Sequence, residues 1–308
     1  MKILLTGSNG MVGRNILEVA EKYDHHFLCP NRLELNLLNS NAVDNYITSH
    51  KPELVIHAAG IVGGIQANIM NPVKFLVENM QMGLNILTSA NKFGVSRFLN
   101  LSSSCMYPRD APNPLSEDLI LKGELEPTNE GYAIAKVAST RLCEYISREN
   151  PARLYKTVIP CNLYGRFDKF DLENSHMIPA VIRKIDEAKK NRSQIIDIWG
   201  DGEARREFMY AGDLADFLFY AIDNFDQMPQ NLNVGLGTDY TINEYYRAVA
   251  MVVGYTGEFK HDLSKPVGMK QKLIDDTKLR EFGWSCVTSL EIGISKTYKF
   301  YLSENYNA

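Results

Sequence analysis

The chain has 308 residues, enough for about two domains, and its 45% hydrophobic and 23% charged content is that of a soluble globular protein. A formal net charge of −4 argues against a general nucleic-acid binder, whose footprint is basic, while a few placed Arg and Lys still suffice for a small anion. Five cysteines (29, 105, 143, 161 and 286), odd in number and without metal-ligand spacing, predict a reducing cytoplasm and no metal site. No apolar run approaches the ~18 residues of a membrane span, so no membrane partner is expected. The run at the start breaks at Gly7, Ser8 and Asn9, which suits a buried first strand better than a leader.

Ile3-Leu4-Leu5 ends in a glycine turn, and Met11 to Lys22 follows with helical spacing at Val12, Ile16, Val19 and Ala20. Phe27-Leu28-Cys29 is a second apolar run, broken at Pro30-Asn31. Leu54 to Ala59 is a third, after helical Ala42 to Thr48. Phe98 to Leu101 is a fourth, after helical Asn79 to Phe93, and Thr157 to Ile159 a fifth, after helical Tyr132 to Arg148. Strands alternating with helices predict an α/β protein with a doubly wound parallel Rossmann sheet. Unbroken apolar strands suit a sheet buried on both faces. Gly165 to Ser175 then reads as a loop and Ile178 to Lys190 as a helix. Ile195 to Trp199 reads as a strand returning to the first sheet. Asn231 to Gly235 is a strand and turn, and helix Ile242 to Val253 and the tail Leu290 to Leu302 complete a smaller C-terminal α/β region.

Glycines 7, 10 and 13 lie between a strand and a helix. Such a loop lets backbone N–H groups approach a pyrophosphate, and the helix N-terminus adds partial positive charge. The plainer alternative is an ordinary strand-to-helix turn. The second strand ends Cys29-Pro30-Asn31-Arg32 without an acid at its tip, and a guanidinium there suits a ribose 2′-phosphate, so NADP(H) is expected over NAD. Glu34 lies nearby and could point either way; Arg32 could also be a solvated surface charge. The expected division is a dinucleotide-binding domain over 1–163, with a return segment near 194–220, and a substrate domain over 164–308.

Tyr132 and Lys136 are four apart and share one helix face. A Lys ammonium lowers a phenol's pKa and can hold a ribose. Ser103 lies just past the fourth strand, at the sheet edge where ligands bind. Tyr and Ser together can bond one carbonyl oxygen, with Tyr donating a proton as hydride arrives. Cys105 follows two residues later. A cysteine there is either a small core residue or, exposed to the cleft, a base. His176 opens the helix near Ile178 as a cap, a surface residue or an acid. A thiolate and an imidazole can move protons beside a ketone.

These residues resemble the extended short-chain dehydrogenase/reductases and, among them, the GDP-L-fucose synthases. The resemblance runs through Gly10-Met11-Val12-Gly13, Glu34 to Leu38, Val62-Gly63-Gly64-Ile65, Ser103 to Pro108, Leu125 to Glu130, Tyr132 to Lys136, Asn162 to Gly165, Asn174-Ser175-His176, Arg206-Glu207-Phe208 and Ser264-Lys265-Pro266. It implies a carbonyl-activating triad of Ser103, Tyr132 and Lys136, with Cys105 and His176 as epimerisation base and acid. It implies cofactor contacts at Gly7, Asn9, Gly10, Met11, Val12, Arg32, Ala58, Ala59, Tyr132, Lys136 and His176. Substrate contacts are implied at Ser104, Asn162, Lys184, Trp199, Arg206 and Lys265. The implied reaction is NADPH-dependent reduction of the C4 ketone of a GDP-4-keto-6-deoxy sugar with C3/C5 epimerisation. The implied assembly is a homodimer through a four-helix bundle of Asn79 to Phe93 and Tyr132 to Arg148.

The chain departs from the family at Asn9, often basic there, at Gly131, commonly Pro, and in the loop Phe167 to Asn174. A dehydratase of this fold would carry Asp-Glu at Ser104-Cys105, and a simple 4-epimerase has little use for Cys105 and His176 together. A non-enzymatic nucleotide sensor tends to lose the Tyr or the Lys. The remaining rival is a C4 reductase alone, acting on a related GDP-4-keto-deoxy sugar such as a GDP-heptose derivative.

Overall fold

In a computed structural model, which describes residues 1–171, 175–265 and 268–306, the apolar runs pair into one parallel sheet. Its strands are β1 (Lys2–Thr6), β2 (His26–Leu28), β3 (Leu54–His57), β4 (Arg97–Leu101), β5 (Leu154–Pro160) and, later in the chain, β10 (Asn231–Val234), in the order β10-β5-β4-β3-β1-β2. Side chains alternate between two cores, as the two-residue strand period requires. Ile3, Leu5, Ile56 and Leu99 enter one core with Phe217 and Leu218. Leu4, Val55 and Phe98 enter the other with Ile86 and Tyr155. Truncating one of these fully buried leucines to Ala costs about 2–5 kcal/mol.

The helices that cover the sheet start and stop for local reasons. Gly10 caps α1 (Met11–Ala20) with no side chain, leaving the first-turn N–H groups open. The Asn39 side chain caps α2 (Ser40–His50), which follows β2. A short α3 (Ile65–Met70) runs into α4 (Pro72–Lys92), whose first position is Pro, a residue with no N–H to leave unpaired there. That start lies earlier than the expected Asn79. Helix α5 (Glu130–Glu149) packs along α4.

The remainder of the chain places six further elements before β10. Strand β6 (Asn162–Tyr164) pairs in parallel with β9 (Phe208–Tyr210); α6 (Met177–Lys190) and β7 (Ile195–Trp199) follow β6, and β8 (Arg205–Arg206) precedes β9. Helix α7 (Ala211–Asp223) packs on α1. Past β10 come β11 (Tyr240–Thr241), α8 (Ile242–Val253), β12 (Glu258–Asp262), β13 (Gln271–Lys272), α9 (Thr277–Phe282) and α10 (Leu290–Tyr306). Helix α8 opens with a capping box between Thr241 and Glu244 and closes at Gly254 in the left-handed region.

Strand β7 does not return to the large sheet, contrary to the sequence expectation. It alternates exposed and buried residues, and its buried Ile196 and Ile198 join a separate core with Ile182, Ile185 and Val249, while its ladder partner is β12. The strand that extends the large sheet from beyond residue 163 is β10, paired to β5. The order reverses between β1 and β3, so the crevice outside their carboxyl ends is the switch point where ligands bind in open α/β sheets.

Candidate active site

The glycine loop leaves that switch point open to a pyrophosphate. Gly7 has φ +74°, and a Cβ there would lie 2.7 Å from the Ala59 nitrogen. A Cβ on Gly13 would come within 2.3 Å of the Gly7 carbonyl oxygen. Ala58 and Ala59 both donate to Thr6, Ala58 to its carbonyl at 3.2 Å and Ala59 to its hydroxyl at 3.4 Å, which lays this turn beside the loop. Asn9 and Gly10 are exposed, Met11 and Val12 half-buried at the head of α1. The cradle therefore fits a dinucleotide: uncapped N–H groups, no side chain in the way, and a helix N-terminus behind. Arg32 is exposed at the tip of a turn held by Asn31, whose side-chain oxygen accepts from Leu33 and Glu34 N–H. The Glu34 carboxylate accepts from the Asn31 N–H at 2.8 Å, so this acid closes the turn.

Strand β4 delivers Ser103 and Cys105 to the edge of the same crevice. Ser103 is extended and its hydroxyl accepts from the Cys105 N–H at 3.3 Å, opening a single 3-10 turn over Ser104–Met106. The first two turns of α5 supply Tyr132 and Lys136. Tyr132 hydrogen-bonds with Ser103, and burial pushes its phenol up, with the Cys105 thiol adding to the rise. The phenol is thus held protonated. Lys136 donates to the Leu101 carbonyl at 2.9 Å, and burial pulls it down to about 8. The Lys136 ammonium is thus turned to that carbonyl. A Cβ on Gly60 would lie 3.8 Å from the Lys136 Nζ, so the loop after β3 crosses directly above the ammonium. Asn79 pins that loop by bonding both the N–H and the carbonyl of Ile61.

Of the two readings of Cys105, the structure gives the buried one, at 5% exposure within the 3-10 turn, with its sulfur close enough to act on the Tyr132 phenol. Burial raises its thiol, opposed first by the Lys272 ammonium, then by the Ser103 hydrogen bond and by Lys136. His176 occupies the N-cap position of α6, but its side chain caps nothing. Burial, then Lys169 and Lys272, lower the imidazole. A Cβ on Gly64 would lie 3.3 Å from the Ser175 carbonyl, so the Val62–Ile65 segment abuts the approach to His176. Asn174 and Pro266 lie outside the described residues.

The expected substrate residues fall into two groups. Lys184 donates to the Asp197 carbonyl of β7, and Lys265 stands 5.7 Å from the Trp199 ring centroid, giving a cation-and-indole patch at the end of that strand. Arg206 is on β8, in register with Lys272 of β13. Asn162 donates its amide to the Glu207 carbonyl at 2.8 Å, tying β6 to this segment, and Ser104 is buried within the 3-10 turn. Lys272 was not legible in the sequence. It sits on a two-residue strand with no periodicity, yet its charge reaches both Cys105 and His176.

The arrangement can donate a proton from Tyr132 to a carbonyl oxygen also bonded by Ser103, and move protons at neighbouring carbons through Cys105 and His176. A nicotinamide dinucleotide in the glycine cradle would supply the hydride. Among the described residues no cluster of His, Cys, Asp or Glu is set to hold a metal ion, and no helix is long and apolar enough to cross a membrane.

Residues 3–235 match the family model described as the NAD dependent epimerase/dehydratase family. The chain is 62% identical over 307 residues to GDP-L-colitose synthase of Yersinia pseudotuberculosis, covering 100% of both chains. It is 47% identical over 304 residues to GDP-L-fucose synthase of Azorhizobium caulinodans, covering 99% of this chain and 97% of the relative. Among solved structures it superposes with a TM-score of 0.87 at 29% identity on a GDP-mannoheptose C4 reductase from Campylobacter jejuni with NADP bound, covering 98% of each. The chain belongs to the NAD dependent epimerase/dehydratase family, within the extended short-chain dehydrogenase/reductases, and is an NAD(P)-dependent oxidoreductase.

Proposed function

We propose that this enzyme uses NADPH to reduce the C4 ketone of a GDP-4-keto-6-deoxy sugar, and that it first epimerises the sugar beside that ketone. The observation that carries this reading is the shared site of Ser103, Tyr132 and Lys136 with Cys105, all within one crevice. A reductase alone needs only the first three. Cys105 is the base and His176 the acid, with the C4 enolate oxygen held by Tyr132 and Ser103. Arg32 reads the cofactor's 2′-phosphate. Lys184, Trp199, Arg206 and Lys265 hold the GDP moiety, whose diphosphate calls for cations and whose base calls for an aromatic face.

The 62% identity to a GDP-L-colitose synthase favours a second form of substrate. Colitose is a 3,6-dideoxy sugar, so a GDP-4-keto-3,6-dideoxy substrate has a stereocentre to invert at C5 but none at C3. Product analysis by NMR decides between the forms. GDP-4-keto-6-deoxy, GDP-4-keto-3,6-dideoxy and GDP-4-keto-heptose sugars are each supplied with NADPH in deuterated water. Solvent deuterium at C5 of the reduced product is expected. A product with solvent deuterium at neither C3 nor C5 would leave C4 reduction as the whole reaction, the reading closest to the heptose reductase.

We also infer a homodimer. Val73, Val77 and Leu84 on α4 and Ile134 and Tyr145 on α5 are exposed on helices that pack together, an apolar face suited to the same face of a second copy. Light scattering of the wild type and of Val77→Glu tests it; a monomeric wild type rejects it. All five cysteines are unpaired, in keeping with reaction in the cytoplasm.

A further inference from the structure

We propose that Glu207 is a positioning residue: its buried carboxylate clamps the strand pair carrying Arg206 and Lys272, and so aims the Lys272 ammonium at Cys105. The inference rests on the reading of Cys105 as the group that moves protons beside the ketone.

Glu207 has 0% exposure and, among the described residues, no cation as its hydrogen-bond partner. One carboxylate oxygen accepts from the Leu236 and Gly237 N–H groups at 2.6 and 3.0 Å; the other accepts from the Ile274 N–H at 3.0 Å. These donors belong to two different segments, the turn after β10 of the large sheet and the chain leaving β13. Glu207 itself lies between β8 and β9. One side chain therefore joins three segments, and the ladder it secures has Arg206 opposite Lys272. Gly235 makes room for it, since a Cβ there would fall 2.3 Å from the carboxylate oxygen. The two-residue ladder of β8 and β13 is too short to hold that register well on its own.

Burying a carboxylate without a counter-ion is costly, and three N–H donors offset only part of the cost. Burial accordingly pushes Glu207 up to about 7, against those N–H groups. An apolar residue would pack here at less expense, which suits a group kept for geometry. The groups acting on the Cys105 thiol are Lys272, Ser103 and Lys136, with the Tyr132 phenol beside it; Glu207 is not among them. Its proposed influence on Cys105 runs through Lys272, whose buried ammonium is lowered by burial, raised by the Cys105 charge and lowered again by Arg206, its register partner.

The test is a titration of thiolate absorbance at 240 nm without any ligand. Wild type, Glu207→Gln and Lys272→Met are each measured against the same protein carrying Cys105→Ser. Both substitutions are expected to raise the Cys105 midpoint, Glu207→Gln by roughly half to one unit. The sign separates positioning from direct charge, since removing a nearby negative charge alone would lower the midpoint. The KM for the GDP-sugar is expected to rise roughly three- to tenfold, while that for NADPH stays unchanged. An unchanged or lowered midpoint in folded Glu207→Gln, or no change in Lys272→Met, overturns the proposal. If Glu207→Gln does not fold, Gly235→Ala displaces the same carboxylate and is read the same way; loss of fold in both makes the clamp a folding element and also overturns it. A raised midpoint in an enzyme inactive on every GDP-4-keto sugar would remove the proposed function and leave the clamp standing.

Discussion

The Lys136 ammonium stands 5.6 Å from the centroid of the Tyr132 ring while donating to the Leu101 carbonyl at 2.9 Å. One turn of α5 thus fixes both groups against the end of β4. An ammonium has three donors, so two remain for a ribose in the crevice. The phenol, pushed up by burial, keeps its proton until a carbonyl oxygen needs it. Replacing Tyr132 by Phe keeps the ring and removes the donor. Turnover should fall by ~10²–10⁴ with little change in substrate KM. Steady-state kinetics check this, and reduction at the wild-type rate would assign the proton to another acid.

Lys136 also sets a pH dependence. Burial lowers it from 10.5 to about 8, so its charged form is complete well below pH 8 and is lost as pH rises through that value. On the proposed reading, Lys136 contacts the anionic cofactor as an ammonium. The kcat/KM for NADPH, which reports groups of the free enzyme, should therefore decline above about pH 8. In Lys136→Met that limb should vanish along with most of the activity. A wild-type profile flat to pH 9.5 would count against it.

The large sheet was legible because β1, β3, β4 and β5 each carry a short apolar run, as a sheet buried on both faces demands. Tyr132, Lys136 and Ser103 were legible for a related reason: helix spacing and strand ends fix where such side chains emerge. Short strands were not. Ile195 to Trp199 has the composition of a sheet strand, but whether it pairs with β5 or β12 depends on contacts far away in sequence. Lys272 was hidden because two residues show no period, and its meaning comes from the ladder that sets it beside Arg206. The burial of Cys105 was left open by the sequence because it depends on distant partners: Tyr107, two residues on, is buried and donates to Asn233 at 2.5 Å.

Arg32 is proposed to discriminate between the two cofactors. It is exposed at a turn tip, and the nearby acid is already used on the Asn31 N–H. Arg32→Ala should raise the NADPH KM about ten- to a hundredfold, the loss of one or two charge-assisted bonds, and leave NADH little affected. Equal use of NADH and NADPH by the wild type would reject this.

The glycine cradle makes a graded prediction. A Cβ on Gly13 would meet backbone, the Gly7 oxygen at 2.3 Å and the Ser8 Cα at 2.6 Å, whereas a Cβ on Gly10 would meet the Gly7 oxygen at 3.4 Å. Gly13→Ala should destabilise the fold by about 1–3 kcal/mol and abolish the rise in melting temperature that NADPH gives. Gly10→Ala should keep the wild-type melting temperature. Thermal melts with and without NADPH compare them, and identical behaviour of the two variants would count against a close-packed turn.

Cys105 and His176 can be separated by isotope. Protons beside the C4 ketone are acidic because the enolate charge spreads to an oxygen held by Tyr132 and Ser103. Burial favours the neutral thiol and the neutral imidazole, so the base role proposed for Cys105 depends on the support that Lys272 and Lys136 give its thiolate. Cys105→Ser should therefore stop solvent deuterium entering the sugar while sparing hydride transfer to a substrate already epimerised. His176→Asn should allow exchange on the Cys105 face and block inversion, because no acid returns the proton from the other side. Lys272→Met should slow exchange about tenfold through the raised thiol and leave reduction of the epimerised substrate within a few-fold of wild type. NMR of substrate and product in deuterated water reads all three. Undiminished exchange in Cys105→Ser would move the base elsewhere, and loss of reduction together with exchange would make the thiol part of the carbonyl site itself.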